Sequence, residues 1–127
     1  MTSVAYIDSS CIVASALGEV SSRLMVERLK GFDQVLSSPL LEAELYSALA
    51  REKRPLSREW MKGVRLVYAF RSIAPELEVV FAAGYLRGAD AWHLATALYL
   101  SPEPSALTFL TLDVAQGEVA RTLGFSV

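Results

Sequence analysis

The chain has 127 residues, a formal net charge of −2, a hydrophobic content of 53% and a mean hydropathy of +0.34. This length suits one domain that buries roughly two-thirds of the surface its unfolded chain would expose. The longest charge-free stretch, residues 91–102, is shorter than the about 20 residues that a membrane-spanning helix needs, and no signal-peptide pattern opens the sequence. We therefore expect a single cytoplasmic domain over residues 1–127, with no membrane contact.

Short apolar runs alternate with amphipathic segments along the chain. Two runs, residues 4–7 and 106–112, are typical of strands, and each is followed by an acid and then by a helical segment. We predict further short strands at residues 34–37, 71–74 and 125–127, and helices at residues 11–17, 21–30, 38–53, 57–68, 78–87, 90–100 and 114–123. This alternation favours an α/β fold with four to five mostly parallel strands and helices on both faces of the sheet.

The segment from Ser57 to Tyr68 is predicted to be an amphipathic helix in a basic part of the chain. Seven of the twelve Lys and Arg residues lie between residues 51 and 71. Six of them form a candidate phosphate-binding set, called the basic stripe: Arg51, Lys53, Arg54, Arg58, Lys62 and Arg65. A solvated helix face explains the same pattern. Contact with an acidic segment of a protein partner is a third interpretation.

Acids recur where this fold would place a site. Asp8 and Asp113 each follow a strand and precede a helix, and neighbouring parallel strands would bring them together at the sheet edge where ligands bind. Asp90 opens a helix just after Gly88. Glu42 and Glu44 lie at opposite margins of the apolar stripe of the long helix, so helical geometry does not choose between them.

Taken singly, each acid has an ordinary explanation as a helix cap or a solvated side chain. Taken together, carboxylates at one sheet edge repel one another and are tolerated chiefly when a cation neutralises them. Oxygen ligands suit Mg²⁺ or Mn²⁺, whereas a single His and a single Cys exclude a zinc site. The lone Cys11 lies beside Ile12 and Val13, where a small buried hydrophobic residue is expected.

Four motifs occur in order along the chain: Tyr-Ile-Asp-Ser-Ser at 6–10, Ser-Pro-Leu-Leu-Glu-Ala-Glu-Leu at 38–45, Leu-Arg-Gly-Ala-Asp-Ala-Trp-His-Leu-Ala-Thr-Ala at 86–97, and Leu-Thr-Leu-Asp at 110–113 with Leu-Gly at 123–124. Together they resemble the PIN-domain ribonucleases, specifically the VapC toxins of toxin–antitoxin pairs. The most specific piece is Asp-Ala-Trp-His-Leu-Ala at 90–95. The resemblance covers nearly the whole chain and implies a PIN-like three-layer sandwich.

The resemblance also implies an acidic pocket whose members are both catalytic and ligands of Mg²⁺ or Mn²⁺: Asp8, Glu44, Asp90 and Asp113. It selects Glu44 over Glu42, because the family's glutamate precedes the Leu that starts the next helical turn. Ser9 and Thr111 would flank this pocket, and His93 falls where the family often has His within a helix. After Asp113, the residues Val114, Gly117 and Glu118 depart from the family pattern.

The implied activity is that of an endoribonuclease toxin that hydrolyses RNA phosphodiester bonds with a metal-activated water. A cognate VapB-type antitoxin would inhibit it, and a second copy of the chain would complete a homodimer. A catalytically inactive PIN-like binding or scaffolding module is the main alternative. A phospho-receiver domain would need a Lys near its last strand, and a phosphatase with an Asp nucleophile would need an acid at position 10, where the chain has Ser10.

Overall fold

The computed structural model describes residues 2–127, so Met1 lies outside the described residues. The strands are β1 (Val4–Ile7), β2 (Gln34–Ser37), β3 (Val64–Leu66) and β4 (Thr108–Leu110). The α-helices are α1 (Ser9–Ala16), α2 (Ser22–Leu29), α3 (Leu40–Arg51), α4 (Ala74–Ala83), α5 (Gly88–Leu100) and α6 (Val114–Leu123). Two short 3-10 helices, Arg58–Met61 and Pro104–Ala106, lie in the connections.

The four strands form one parallel sheet in the order β3-β2-β1-β4. The predicted α/β fold with a parallel sheet and flanking helices is thereby confirmed, and it is consistent with a PIN-like fold. Ser126 adds a single parallel bridge to Thr108, so the strand predicted at residues 125–127 is reduced to one pairing. Because β1 lies between β2 and β4, its carboxyl end is at the centre of the sheet edge where ligands bind in such folds.

The side chains of β1 alternate between two cores. Ala5 and Ile7 pack in a cluster that includes residues of α1, α2 and α3, whereas Tyr6 packs in a cluster that includes residues of α4, α5 and α6. All three side chains are fully buried. Successive residues of a strand point to opposite faces of the sheet, so this central strand joins the two helical layers.

The predicted amphipathic helix at residues 57–68 is wrong. Ser57 does cap a helical turn, and its Oγ accepts a hydrogen bond from the Glu59 backbone N–H at 3.1 Å, but the 3-10 helix ends at Met61. Gly63 then adopts the left-handed conformation, with a φ of +86°, and interrupts the helical pattern. The following segment, Val64–Leu66, pairs with β2 as the edge strand of the sheet.

The strand predicted at residues 71–74 is also wrong, because α4 begins at Ala74 with Pro75 in its first turn. Proline is favoured there, since the first turn of a helix has no partner for its N–H. The helix predicted at 78–87 therefore starts earlier and ends at Ala83. Among the described residues, no helix combines the length and the apolar content that crossing a membrane requires.

Candidate active site

The four acids singled out in the sequence line one open pocket at the carboxyl edge of the sheet. Ile7 pairs with Leu110, so β1 and β4 end side by side, and Asp8 follows β1 directly. Glu44 reaches the pocket from α3 and Asp90 from the first turn of α5. The pocket has a volume of about 450 Å³. The acids that line it are Asp8, Glu44, Asp90 and Asp113.

Asp8 is buried, with 3% of its surface exposed. Its Oδ2 accepts a hydrogen bond from the backbone N–H of Ser10 at 3.0 Å, which caps α1. Its Oδ1 accepts a hydrogen bond from Nε2 of Gln116 at 3.2 Å. Both carboxylate oxygens are therefore held by donors from within the protein.

Asp90 lies in the first turn of α5, but Arg87 and not Asp90 is the N-cap of that helix. Burial raises the pKa of the Asp90 carboxyl, and the neighbouring charges of Asp8 and Asp113 raise it further. Arg87 opposes this effect, with its Nε at 3.8 Å from Asp90 Oδ2. Burial is thus the larger cause of the raised pKa of Asp90, and the charges of the neighbouring acids add to it.

Asp113 is the N-cap of α6, and its Oδ1 accepts a hydrogen bond from the Gln116 backbone N–H at 2.8 Å. This contact agrees with the capping-box pattern of Asp113 and Gln116 in the sequence. In a complete capping box the Gln116 side chain would also accept a hydrogen bond from the Asp113 backbone N–H. Here that N–H donates to Thr111 Oγ1 instead, at 3.0 Å. The Gln116 side chain is thus available for contacts elsewhere.

The structure separates the two glutamates of α3. Glu44 lines the pocket, and its Oε1 accepts a hydrogen bond from His93 Nε2 at 2.7 Å. Glu42 lies outside that pocket and pairs with Arg58 at 2.9 Å on the surface. Of the two glutamates, only Glu44 therefore lies among the acids of the pocket.

His93 is fully buried and connects Glu44 to Tyr6 in the core. The Glu44 carboxylate only accepts hydrogen bonds, so Nε2 of His93 carries a proton. In the neutral ring, the Tyr6 hydroxyl then donates to Nδ1 at 2.8 Å. Burial raises the pKa of the Tyr6 hydroxyl, which keeps it protonated as a donor. His93 is therefore more than a packed helix residue, since both ring nitrogens have defined partners.

Sequence reasoning missed the side chain of Gln116. It is fully buried, and its Nε2 donates to Asp8 Oδ1 at 3.2 Å and to the Asp90 backbone carbonyl at 3.1 Å. The capping-box spacing marked the residue but predicted a contact with its own cap. Along the chain, Gln116 is 108 residues from Asp8 and 26 residues from Asp90, so no local sequence pattern reveals these contacts.

The remaining candidates near the pocket have different placements. Ser9 lines the pocket, whereas Thr111 lies behind it and donates to Gln116 Oε1 at 2.6 Å. Glu118 is exposed and is not part of the pocket lining. Cys11 is buried, and burial, followed by the charge of Asp8, raises the pKa of its thiol to about 12. That thiol is a poor nucleophile, in keeping with its structural interpretation.

The basic stripe does not form a single face. Arg51 lines the acidic pocket, but Arg54 donates to the Ala16 carbonyl at 3.1 Å and Arg58 pairs with Glu42. Lys62 and Arg65 belong to the turn and edge strand that replace the predicted helix. A cation outside the stripe, Arg87, joins Arg51 in lining the pocket. The structure therefore leaves two arginines beside the acids.

A hard divalent cation fits the donor chemistry of the pocket, because all four acids supply oxygen. Burial, followed by the charges of Asp8 and Asp113, raises the pKa of Asp90. Within residues 2–127, however, no group of three Asp, Glu, His or Cys side chains has an arrangement that could hold a metal ion. Asp8 and Glu44 are both hydrogen-bonded to buried side chains, Gln116 and His93.

The sequence matches the model of the PIN domain family over residues 5–121, a range that contains all four acids of the pocket and, apart from Val4, all four strands. PIN domains are generally nucleases and typically use divalent metal ions. No curated protein and no solved structure matches the chain. The family match covers most of the chain, and the parallel sheet with flanking helices is consistent with it. The chain belongs to the PIN domain family.

Proposed function

We propose that this PIN domain is a metal-dependent endoribonuclease of the VapC toxin type, acting on RNA in the cytoplasm. The observation that carries the proposal is the convergence of Asp8, Glu44, Asp90 and Asp113 on one open pocket. These acids come from four separate parts of the chain, and helix capping alone explains only Asp8 and Asp113. Glu44 and Asp90 have no capping role that would account for their position.

Asp8 and Asp90 would be the principal ligands of Mg²⁺ or Mn²⁺, and Glu44 and Asp113 would complete the pocket directly or through water. When bound, such a cation polarises a phosphate oxygen and makes a water molecule more acidic. The chain itself restrains the acids, since Gln116 holds Asp8 and His93 holds Glu44. Fixed carboxylates need less reorganisation when substrate arrives, which favours catalysis.

RNA binding requires cations, because the acidic pocket repels the phosphate backbone. Arg51 and Arg87 line the pocket and are exposed, which supports a role for both in contacting RNA phosphates. Arg87 is 3.8 Å from Asp90, a loose pair that leaves most of its guanidinium in solvent. The other members of the basic stripe, such as Lys62 and Arg65, lie outside this pocket.

Protein partners are part of the proposal: a cognate VapB-type antitoxin and a second copy of the chain. A separate cavity of about 690 Å³ has an apolar lining that includes Val67, Tyr68 and Trp92. Tyr68 and Trp92 are 63% and 41% exposed. Exposed apolar surface of this kind favours protein association, which supports the proposal of a protein partner.

A catalytically inactive binding module is a second candidate. The observation that favours it is the lack, within residues 2–127, of three potential ligands grouped for metal binding. This candidate predicts that the acids serve only as caps and hydrogen-bond partners. It would retain the arginines beside the pocket as a binding surface.

The two candidates differ in what the protein does to RNA in a cell. We would express the wild-type chain and Asp90→Asn in a bacterium and map new RNA ends that carry a 5′-phosphate. The endoribonuclease predicts new ends at a restricted set of positions in the wild-type sample alone. Identical end maps for the two proteins, at equal amounts of folded protein, would favour the binding module.

A further inference from the structure

Gln116 contacts three of the four acidic residues of the pocket. Its side-chain amide donates to the Asp8 carboxylate and to the Asp90 carbonyl, and its backbone N–H donates to the Asp113 carboxylate. Asp8 follows β1, Asp90 lies in the first turn of α5 and Asp113 caps α6, so one residue ties together three separate elements. The Gln116 side chain is 0% exposed, although it lies beside an open pocket.

The direction of the Gln116 amide is fixed by a chain of hydroxyl groups. The backbone N–H of Leu112 donates to Ser10 Oγ at 3.0 Å, and that of Asp113 donates to Thr111 Oγ1 at 3.0 Å. Because both hydroxyl oxygens accept from backbone donors, their protons are free to be donated onward. Ser10 Oγ lies 3.3 Å from Thr111 Oγ1, and Thr111 donates to Gln116 Oε1 at 2.6 Å.

This arrangement leaves the amide nitrogen of Gln116 facing Asp8 and the carbonyl of Asp90. A reversed amide would place Oε1 against a carboxylate and a carbonyl, neither of which can donate. It would also leave the Thr111 hydroxyl facing an NH₂ group. Buried polar groups without a partner destabilise the folded state, so the reversed orientation is excluded.

We propose that Gln116 is a positioning residue whose side-chain amide sets the spacing of Asp8 and Asp90 for binding a divalent cation. This inference rests on the proposed metal-dependent function. Residues that hydrogen-bond to metal ligands orient them, and their loss typically weakens metal affinity by about 10- to 100-fold. A buried glutamine that served only as packing would affect the stability of the fold and leave metal affinity unchanged.

The first test replaces the amide by an apolar group of similar length. We would measure Mn²⁺ affinity at 25 °C from the EPR signal of free Mn²⁺ for the wild-type chain and Gln116→Met. The expected result is a loss of affinity of about 10-fold or more. Val119→Ala is the matched control, because Val119 is a buried core residue of the same helix. It should lower the unfolding temperature and retain the wild-type affinity.

A second pair of variants keeps the test sharp if Gln116→Met does not fold. Thr111→Ser keeps the hydroxyl that orients the Gln116 amide, whereas Thr111→Val keeps the volume and loses the hydroxyl. The positioning role predicts near-wild-type Mn²⁺ affinity for Thr111→Ser and weakened affinity for Thr111→Val. A packing role does not predict a weaker affinity for Thr111→Val, since valine fills the space at least as well as serine.

The outcomes separate this inference from the proposed function. Wild-type Mn²⁺ affinity in folded Gln116→Met and in Thr111→Val would overturn the positioning role and leave the nuclease proposal intact. A folded wild-type chain that binds no Mn²⁺ would overturn both. Weakened affinity in Gln116→Met and Thr111→Val, with Thr111→Ser and Val119→Ala unchanged, would support the positioning role.

Discussion

His93 and Glu44 are joined by a 2.7 Å hydrogen bond between Nε2 and Oε1, which links an acid of the pocket to the hydrophobic core. On its other side, His93 Nδ1 is 2.8 Å from the Tyr6 hydroxyl. Tyr6 packs against Phe109 in the core between the sheet and the helices α4, α5 and α6. The orientation of Glu44 is thus tied to the central strand of the sheet.

Removal of the Tyr6 hydroxyl tests this link. Tyr6→Phe keeps the ring but leaves Nδ1 of a fully buried His93 without its partner. We expect the free energy of unfolding to fall by about 1–2 kcal/mol, measured by urea denaturation. Tyr68→Phe removes a hydroxyl from an exposed tyrosine and should leave the free energy of unfolding unchanged. Equal stability of Tyr6→Phe and the wild type would show that the hydrogen bond is not formed in solution.

The pH dependence of stability tests the burial and the charge repulsion that raise the pKa of Asp90. Folding raises the pKa of Asp90 from its ordinary 3.8, so between the two values the folded state binds more protons than the unfolded state. Stability is therefore lost as the pH rises through this window. Asp90→Asn removes the penalty, and the metal-free variant should melt up to about 2 °C above the wild type near neutral pH.

Below the ordinary pKa of Asp90 both states are protonated, so the advantage of Asp90→Asn should disappear in acid. Thermal unfolding by circular dichroism across this pH range measures the effect. Glu103→Gln, an exposed acid outside the pocket, is the control. If Asp90→Asn melts below the wild type near neutral pH, then the carboxylate stabilises the fold and does not strain it.

The two glutamates of α3 provide a matched pair for the toxin proposal. Glu44 lines the pocket, whereas Glu42 makes a surface ion pair with Arg58 that is worth at most about 1 kcal/mol. Expression of the wild-type chain without an antitoxin should arrest growth. Glu44→Gln should relieve that arrest, and Glu42→Gln should not. Growth arrest by both variants, at equal expression, would remove Glu44 from the mechanism.

RNA binding should depend on the arginines beside the pocket. In an Asp8→Asn background, Arg51→Ala and Arg87→Ala should each weaken RNA binding and reduce the salt slope by about 0.7. Lys62 and Arg65 are not part of the pocket lining, so Lys62→Ala and Arg65→Ala serve as controls. Fluorescence anisotropy at several salt concentrations measures the effect. A larger loss in the two controls would place the RNA along the edge strand β3.

The proximity of Asp8 and Asp113 could be predicted from the sequence because it follows from a simple rule. Each follows a buried apolar run, and parallel neighbouring strands end at the same edge of the sheet. The choice of Glu44 over Glu42 needed the family resemblance, since both lie at margins of the same helical stripe. In the structure Glu44 contacts His93, which is 49 positions away in the chain, so no helical pattern could have revealed this contact.

The errors have local causes. Basic residues at helical spacing predicted a helix over 57–68, but the left-handed Gly63 and the pairing of Val64–Leu66 with β2 outweigh that pattern. A three-residue strand at a sheet edge has too few positions to show an alternation of its own. The contacts of Gln116 were missed because its partners are Asp8, just after β1, and Asp90 in α5, whose proximity to α6 is a property of the whole fold.

The central claim is that the four acids bind a divalent cation, and thermal unfolding across a Mn²⁺ titration tests it most directly. A ligand that binds only the folded state stabilises it by RT ln(1 + [L]/Kd), which is about 2.7 kcal/mol at one hundred times Kd. The account predicts a Mn²⁺-dependent rise in the unfolding temperature of the wild-type chain that both Asp8→Asn and Asp90→Asn lose. A wild-type unfolding temperature that stays constant up to millimolar Mn²⁺ would contradict the metal-dependent mechanism and favour the binding module.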